Sequence, residues 1–239
     1  MRIKWQKGWR LCLAACLALM AAVSTGSVRA GAADQPGDFD LYVLSLSWSP
    51  DYCASHRDDA KQCAADRHFG LVVHGLWPQF ATPRLDTASG KPSNWPAHCP
   101  NTQRNTPPGN TPPAAAATIW PSLGLFRHEW QTHGTCSGLA PADFVDLTGQ
   151  LRQRFQTPSA LQPTQTDRPL AASDLRQAIL GANPGLPVKG LQLFCHKNRL
   201  AEIRLCLGRD GDHAYTACPA TMSREDNCPA AIQLEGLGD

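Results

Sequence analysis

Apolar and polar residues alternate from Phe39 to Ser47 (FDLYVLSLS), with Phe39, Leu41 and Val43 on one side before the run becomes more fully apolar. A period of two predicts a half-buried strand, which Trp48-Ser49-Pro50 ends. A second strand is expected over Phe69 to His74, rich in β-branched residues and stopped by Gly75 and Pro78. Phe126 to Thr132 predicts a helix that Gly134 terminates. Phe144, Leu147, Leu151 and Phe155 recur at helical spacing behind Pro141 and Asp143, which predicts a core-packing helix. Ser173 is expected to cap a third, ending at Gly181. Leu191 to Cys195 and Leu200 to Leu207 predict a hairpin around Lys197-Asn198. Strands and helices mix without a βαβ rhythm, so the expected class is α+β, with a central, mainly antiparallel sheet packed with helices. Residues 100 to 117, all Pro, Thr, Asn, Gln, Arg, Gly and Ala, have no periodicity and are expected to form a Pro-rich surface loop.

The N-terminus changes the charge picture. Arg2, Lys4, Lys7 and Arg10 precede an apolar run from Leu11 to Val23, and Val28-Arg29-Ala30 offers a small-x-small cleavage site. This layout predicts a signal peptide over residues 1–30 rather than a membrane span, because the run is shorter than the ~20 apolar residues a spanning helix needs. Cys16 follows Leu13-Ala14-Ala15 as in a lipid-anchor box, but few apolar residues precede it. Removal of residues 1–30 takes five of the 22 basic residues and none of the 20 acidic ones, leaving a net charge of about −3. That excludes a tight polyanion binder working by counterion release, though not an enzyme that turns over an anion. The remaining 209 residues suffice for one domain, 31–239, free of membrane once the leader is cut.

Eight of the ten cysteines lie beyond the leader, an even number that reads as four disulfides in an oxidising compartment; the arithmetic alone leaves 105 pairings open. No C-x-x-C pair is present. Six Lys against sixteen Arg, with much Ala and Pro, suggests a GC-rich bacterial source, so a secreted or periplasmic protein is expected.

Two segments concentrate chemistry: His74-Gly75-Leu76-Trp77-Pro78-Gln79, and Arg127-His128-Glu129-Trp130-Gln131-Thr132-His133-Gly134-Thr135-Cys136. They hold three of the eight histidines and one of only four glutamates. HEWQTH is near the H-E-x-x-H zinc pattern, but His128 and His133 are five apart, about 140° round a helix, and do not share a face. Glu129 and His133 are four apart and do, which suits a carboxylate that orients an imidazole and raises its pKa. Cleaving RNA without metal needs a base for the 2′-hydroxyl, an acid for the 5′-oxygen and donors around the phosphorane. Histidine serves both proton roles near neutrality.

HGLWPQ and RHEWQTHGTC resemble the two active-site signatures of the ribonuclease T2 family, supported by Asn94-Trp95-Pro96, Trp120-Pro121-Ser122 and the cysteine pattern, from about Phe39 to Cys228. The resemblance implies a secreted endoribonuclease acting on single-stranded RNA, without metal or other cofactor. The reaction would pass through a 2′,3′-cyclic phosphate to 3′-phosphate ends. His133 would be general base and His74 general acid. Glu129 and Arg127 would stabilise the phosphorane, and His128 would bind the phosphate. Trp77 would lie against a base and Gln79 would stand at the base-contacting position, where its departure from the family's usual Asp or Asn suggests low base specificity. The same resemblance implies the pairs Cys53–Cys63, Cys99–Cys136, Cys195–Cys228 and Cys206–Cys218. A monomer that does not cut DNA is expected.

The blander readings stand beside these. His56, His68, His98, His196 and His213 read as surface or core residues, and Trp48, Trp95, Trp120 and Trp130 as structural. Gly75, Pro78 and Gly134 shape the backbone. The rival functions are a secreted metallohydrolase using His128 and His133, and a binding protein that keeps the fold without turnover.

Overall fold

The computed structural model describes residues 34–86, 89–100 and 112–238. The leader expected over 1–30 and residues 101–111 of the Pro-rich stretch lie outside these. In chain order the elements are β1 (Leu41–Trp48), α1 (Ser49–Ser55), α2 (Ala60–Cys63), β2 (Leu71–Gln79), β3 (Arg84–Leu85), β4 (Pro92–Ser93), α3 (Ala116–Ile119), α4 (Leu123–Thr132), α5 (Pro141–Arg154), β5 (Arg168–Ala171), α6 (Ala172–Ala182), β6 (Leu191–His196), β7 (Arg199–Gly208) and β8 (Ala231–Leu234). The main sheet runs β2-β1-β7-β8-β5, with β6 also paired to β7; β3 and β4 form a separate ribbon. All pairs in the main sheet are antiparallel except the single parallel pairing of β7 with β8. The fold is therefore α+β, as the mixed pattern predicts.

Sheet residues Leu44, Leu46, Val73, Ile203 and Leu205 pack in one core with Phe126 and Trp130 of α4, Phe144 and Leu151 of α5, and Leu175 and Ile179 of α6. The other face carries a smaller cluster of Leu41, Val43, Cys206 and Met222, against which Trp77 packs. Burial on both faces is why β1 and β7 lose the simple alternation of a one-sided strand. Between the two apolar regions β1 and β7 oppose Ser45 to Arg204 and Ser47 to Glu202, so polar residues occupy the middle of that second face.

Four expectations need correction. β2 does not stop at Gly75 or Pro78 but continues to Gln79. It lies at the edge of the sheet, where proline's missing N–H need not leave a partner unsatisfied. Ser173 does not cap α6; Ala171 is the N-cap, and Ser173 sits inside the first turn. α4 begins earlier than Phe126, because Ser122 Oγ accepts from the Leu125 N–H, 3.1 Å away, and caps the helix there. The surface loop over 100–117 does not hold at its C-terminal end, where Ala116 starts α3 and is fully buried in the core.

Disulfides join Cys53 to Cys63, Cys99 to Cys136, Cys195 to Cys228 and Cys206 to Cys218. The second spans 37 positions and ties the segment after β4 to the turn that ends α4. Among the described residues no helix is long and apolar enough to cross a membrane.

Candidate active site

The site starts from an irregularity in β2. Ser45 of β1 faces Gly75 while the next residue, Leu46, faces Val73, so His74 is an extra residue opposite no partner. Such a bulge re-aims a side chain. Trp120 pins it by donating its indole N–H to the His74 carbonyl at 2.9 Å. The His74 ring then lies over the polar patch of the sheet, with Nδ1 2.6 Å from Glu202 Oε1 and Nε2 3.5 Å from Glu129 Oε1.

α4 supplies the opposing wall. Glu129 and His133 share a face because they are one turn apart, and the His133 N–H donates to the Glu129 carbonyl as the helix ends. Gly134 makes the stop tight, since a β-carbon there would collide with the Trp130 indole. Glu129 is 1 % exposed, and its Oε2 accepts the Trp77 indole N–H at 2.6 Å. Gly75 leaves room for that bond: a β-carbon would fall on both Glu129 Oε2 and Trp77 Nε1. Trp77 is the hub, with ring centroids 5.2 Å from His74 and 5.5 Å from His133. Both imidazoles thus lean on one indole.

Their electrostatics differ in sign. For His74, burial alone would lower the pKa, but the hydrogen bond and charge of Glu202, with the charge of Glu129, outweigh burial and the opposing charge of Arg204; the net pKa is raised. For His133 burial is unopposed and adds to repulsion from His74, His128 and His98, so the pKa falls to about 3. Its Nδ1 is buried without a hydrogen-bond partner. Burial raises the Glu129 pKa, against the pull of His74, the Trp77 bond and His128. Glu202 goes the other way: burial would raise it, but the hydrogen bond and charge of His74 and the charge of Arg204 hold it at about 2.

The structure thus brings His74, Trp77, Glu129 and His133 together, with His128 exposed but near enough for its charge to act on the last two. Arg127, two residues before Glu129, is exposed on α4. Arg204 of β7 is a cation that acts on His74 and Glu202. Gln79 is 2 % exposed at the end of β2, opposite Leu41. Among the described residues no group of three or more His, Cys, Asp or Glu is arranged to hold a metal ion.

Sequence reasoning missed Glu202 and Arg204, and gave Gly75 only a backbone role and His98 none in the site. The signal for the first two was available: a Glu and an Arg two apart inside the otherwise apolar strand LAEIRLCL must share one face and need partners there. His98 is exposed next to Cys99, and its backbone N–H donates to the Thr132 carbonyl, which sets it by the end of α4.

The chain is also similar to known proteins. The family model described as Ribonuclease T2 family matches residues 39–218. A ribonuclease of Aeromonas hydrophila is 35 % identical over 195 residues, 80 % of this chain and 82 % of that protein. Ribonuclease I of Escherichia coli is 25 % identical, over 90 % of this chain and 93 % of its own. Among solved structures, an RNase-related protein from Calystegia sepium aligns with a TM-score of 0.55 at 20 % identity, covering 81 % of this chain and 96 % of its own. Ribonuclease MC1 from bitter gourd seeds aligns equally well, with a TM-score of 0.55, 20 % identity, and coverage of 81 % and 99 %. The shared fold, the matched span and the similarity to named ribonucleases establish that this chain belongs to the ribonuclease T2 family and is a T2-type endoribonuclease.

Proposed function

We propose that the protein cleaves single-stranded RNA by metal-free transphosphorylation, with low base specificity, and acts as a monomer in the periplasm or medium. The observation that carries this reading is the pair of imidazoles on one indole with oppositely displaced pKa values. Environments that push two titratable groups apart assign the acid and the base. His133, held neutral, takes the proton of the 2′-hydroxyl. With Nδ1 buried, Nε2 is the nitrogen left to receive it. The 2′-oxygen bonds to phosphorus, the bond from phosphorus to the 5′-oxygen breaks, and His74, whose surroundings raise its pKa, gives its Nε2 proton to that oxygen. The anionic phosphate supplies the negative charge that His133 lacks in the free protein, which raises its basicity when substrate is present.

Hydrolysis of the 2′,3′-cyclic phosphate runs the same steps in reverse, with water in place of the 5′-hydroxyl. His74, now neutral, accepts a proton from water, and His133 returns its proton to the 2′-oxygen, leaving a 3′-phosphate. Glu129, fixed in place by the Trp77 bond, would help to stabilise the phosphorane. His128 would add positive charge at the rim. The half-buried Trp77 offers a ring on which any base can stack, consistent with weak base preference. The leader-like N-terminus and four disulfides support export.

The test is digestion of a defined oligoribonucleotide in EDTA, with the new termini identified. Cyclic phosphate that converts to 3′-phosphate, with 5′-hydroxyl on the other fragment, is the expected result. A single 2′-deoxy substitution should block cleavage at its own linkage only. Activity abolished by EDTA, 5′-phosphate products, or scission of DNA would contradict the mechanism.

A further inference from the structure

We propose that Glu202 and Arg204 of β7 are positioning residues for the reaction: Glu202 sets the tautomer and aim of His74, and Arg204 couples that setting to the Trp77–Glu129 arm. This rests on the roles given above to His74 and Glu129.

Register explains the placement. β7 lies beside β1, and its residues 202 and 204 stand opposite Ser47 and Ser45, the small side chains that leave space above the sheet. The His74 bulge projects into that space from β2. The Glu202 carboxylate is held on all sides. Its Oε1 takes His74 Nδ1 at 2.6 Å, and its Oε2 accepts from Ser45 Oγ at 3.1 Å and from Arg204 Nε and Nη2 at 2.8 and 2.7 Å. A ring bonded this way keeps a proton on Nδ1 whether charged or neutral, so only Nε2 changes protonation. That is the nitrogen turned towards Glu129.

Arg204 is fixed in turn. Its Nη1 donates to Glu225 Oε2 at 2.6 Å, and its guanidinium lies 5.1 Å from the Trp77 centroid and 4.7 Å from that of Phe194. One planar cation thus braces both the carboxylate that holds His74 and the indole that holds Glu129. The charges point the same way. One largely covered guanidinium is shared by two carboxylates, Glu202 and Glu225, so it does not cancel the negative charge that Glu202 and Glu129 present to His74. Among the described residues, the charged groups that face His74 are Glu202 and Arg204 from β7 and Glu129 from α4, and the His133 pKa responds to His74. A general acid must hold its proton until the leaving oxygen departs, which this surround favours.

A merely structural ion pair would change stability and leave the chemistry's pH dependence in place, so the test reads both. Glu202→Gln keeps the shape and an oxygen acceptor but removes the charge; Glu202→Asp keeps the charge on a shorter arm; Arg204→Lys keeps the charge but not the fork or the stacking face. Each full-length protein is first compared with wild type by its amide NMR fingerprint. Two readouts follow: the His74 imidazole titration by NMR, and the pH profile of kcat/KM on a dinucleotide. For Glu202→Gln the expected results are a His74 pKa below the wild-type value, an alkaline limb moved to lower pH, and a rate at neutral pH down roughly 10- to 100-fold, less than the loss of the imidazole itself. Glu202→Asp should restore part of the shift. Arg204→Lys should lower kcat with little change in KM. Unchanged His74 titration and an unchanged alkaline limb in folded Glu202→Gln would overturn the proposal. Were wild type inactive on RNA, the mechanism above would fall, while the NMR titration would still decide whether Glu202 governs His74.

Discussion

The two imidazoles of the site touch the same indole and live in opposite surroundings. His74 rises from a strand bulge between two carboxylates, whereas His133 closes a helix, its Nδ1 buried with nothing to bond. The strand side is built of long-range charge pairs: Glu202 is 128 positions from His74 in the chain. The helix side is local, one turn of α4 with Glu129 and His133 on one face. The difference teaches that burial on one side and carboxylates on the other can displace the pKa of one residue type in opposite directions.

Removing either ring should break the comparison most severely. His74→Ala and His133→Ala are each expected to reduce RNA cleavage by about 10²- to 10⁴-fold, with the disulfide-bonded fold retained, as single-turnover rates and circular dichroism would show. Retention of near-wild-type rate by either would remove that ring from the reaction.

Gly75→Ala should come next. Its β-carbon would occupy the place of the Glu129–Trp77 hydrogen bond, so the two walls must separate. A misplacement of this kind costs on the order of 10²-fold in rate. Steady-state kinetics at saturating substrate should show the fall in kcat, and a fully active, well-folded variant would mean that the bond is dispensable.

A smaller effect sharpens the contrast through stability. The His133 pKa of about 3 lies below that of a free imidazole near 6.5. Between these values the unfolded chain binds more protons than the folded one, so His133 makes stability fall as pH drops through that window. His133→Asn should flatten this part of the profile in thermal melts from pH 7 to pH 3. Glu202, held at about 2, contributes in the same direction at lower pH: its stabilisation is complete above the ordinary carboxylate range and is lost as pH falls towards 2. An identical slope in wild type and His133→Asn would contradict a buried neutral imidazole.

What was legible in the sequence follows the same division. The helix side could be read only in part: spacing puts Glu129 and His133 on one face, but the Glu129 carboxylate turns to Trp77 and His74 of β2 instead, and burial lowers the His133 pKa that the spacing was expected to raise. The hairpin of β6 and β7 was legible from alternation and its turn. The strand side was not. Gly75 and Pro78 read as breakers, yet an edge strand carries Pro78, and Gly75 is required by the space that Glu129 and Trp77 fill. Glu202 was hidden because its partner is set by strand order and by a bulge, neither of which local pattern encodes. The burial of Gln79 was not legible either, because it depends on β2 continuing to the end of the motif.

The most direct test of the central claim is an NMR titration of the free enzyme that follows the ring signals of His74 and His133, assigned through the two alanine variants. His74 should titrate above the usual imidazole value, and His133 should stay neutral down to about pH 3. Two rings titrating together near 6.5, or with the order reversed, would contradict the assignment of acid and base on which the account rests.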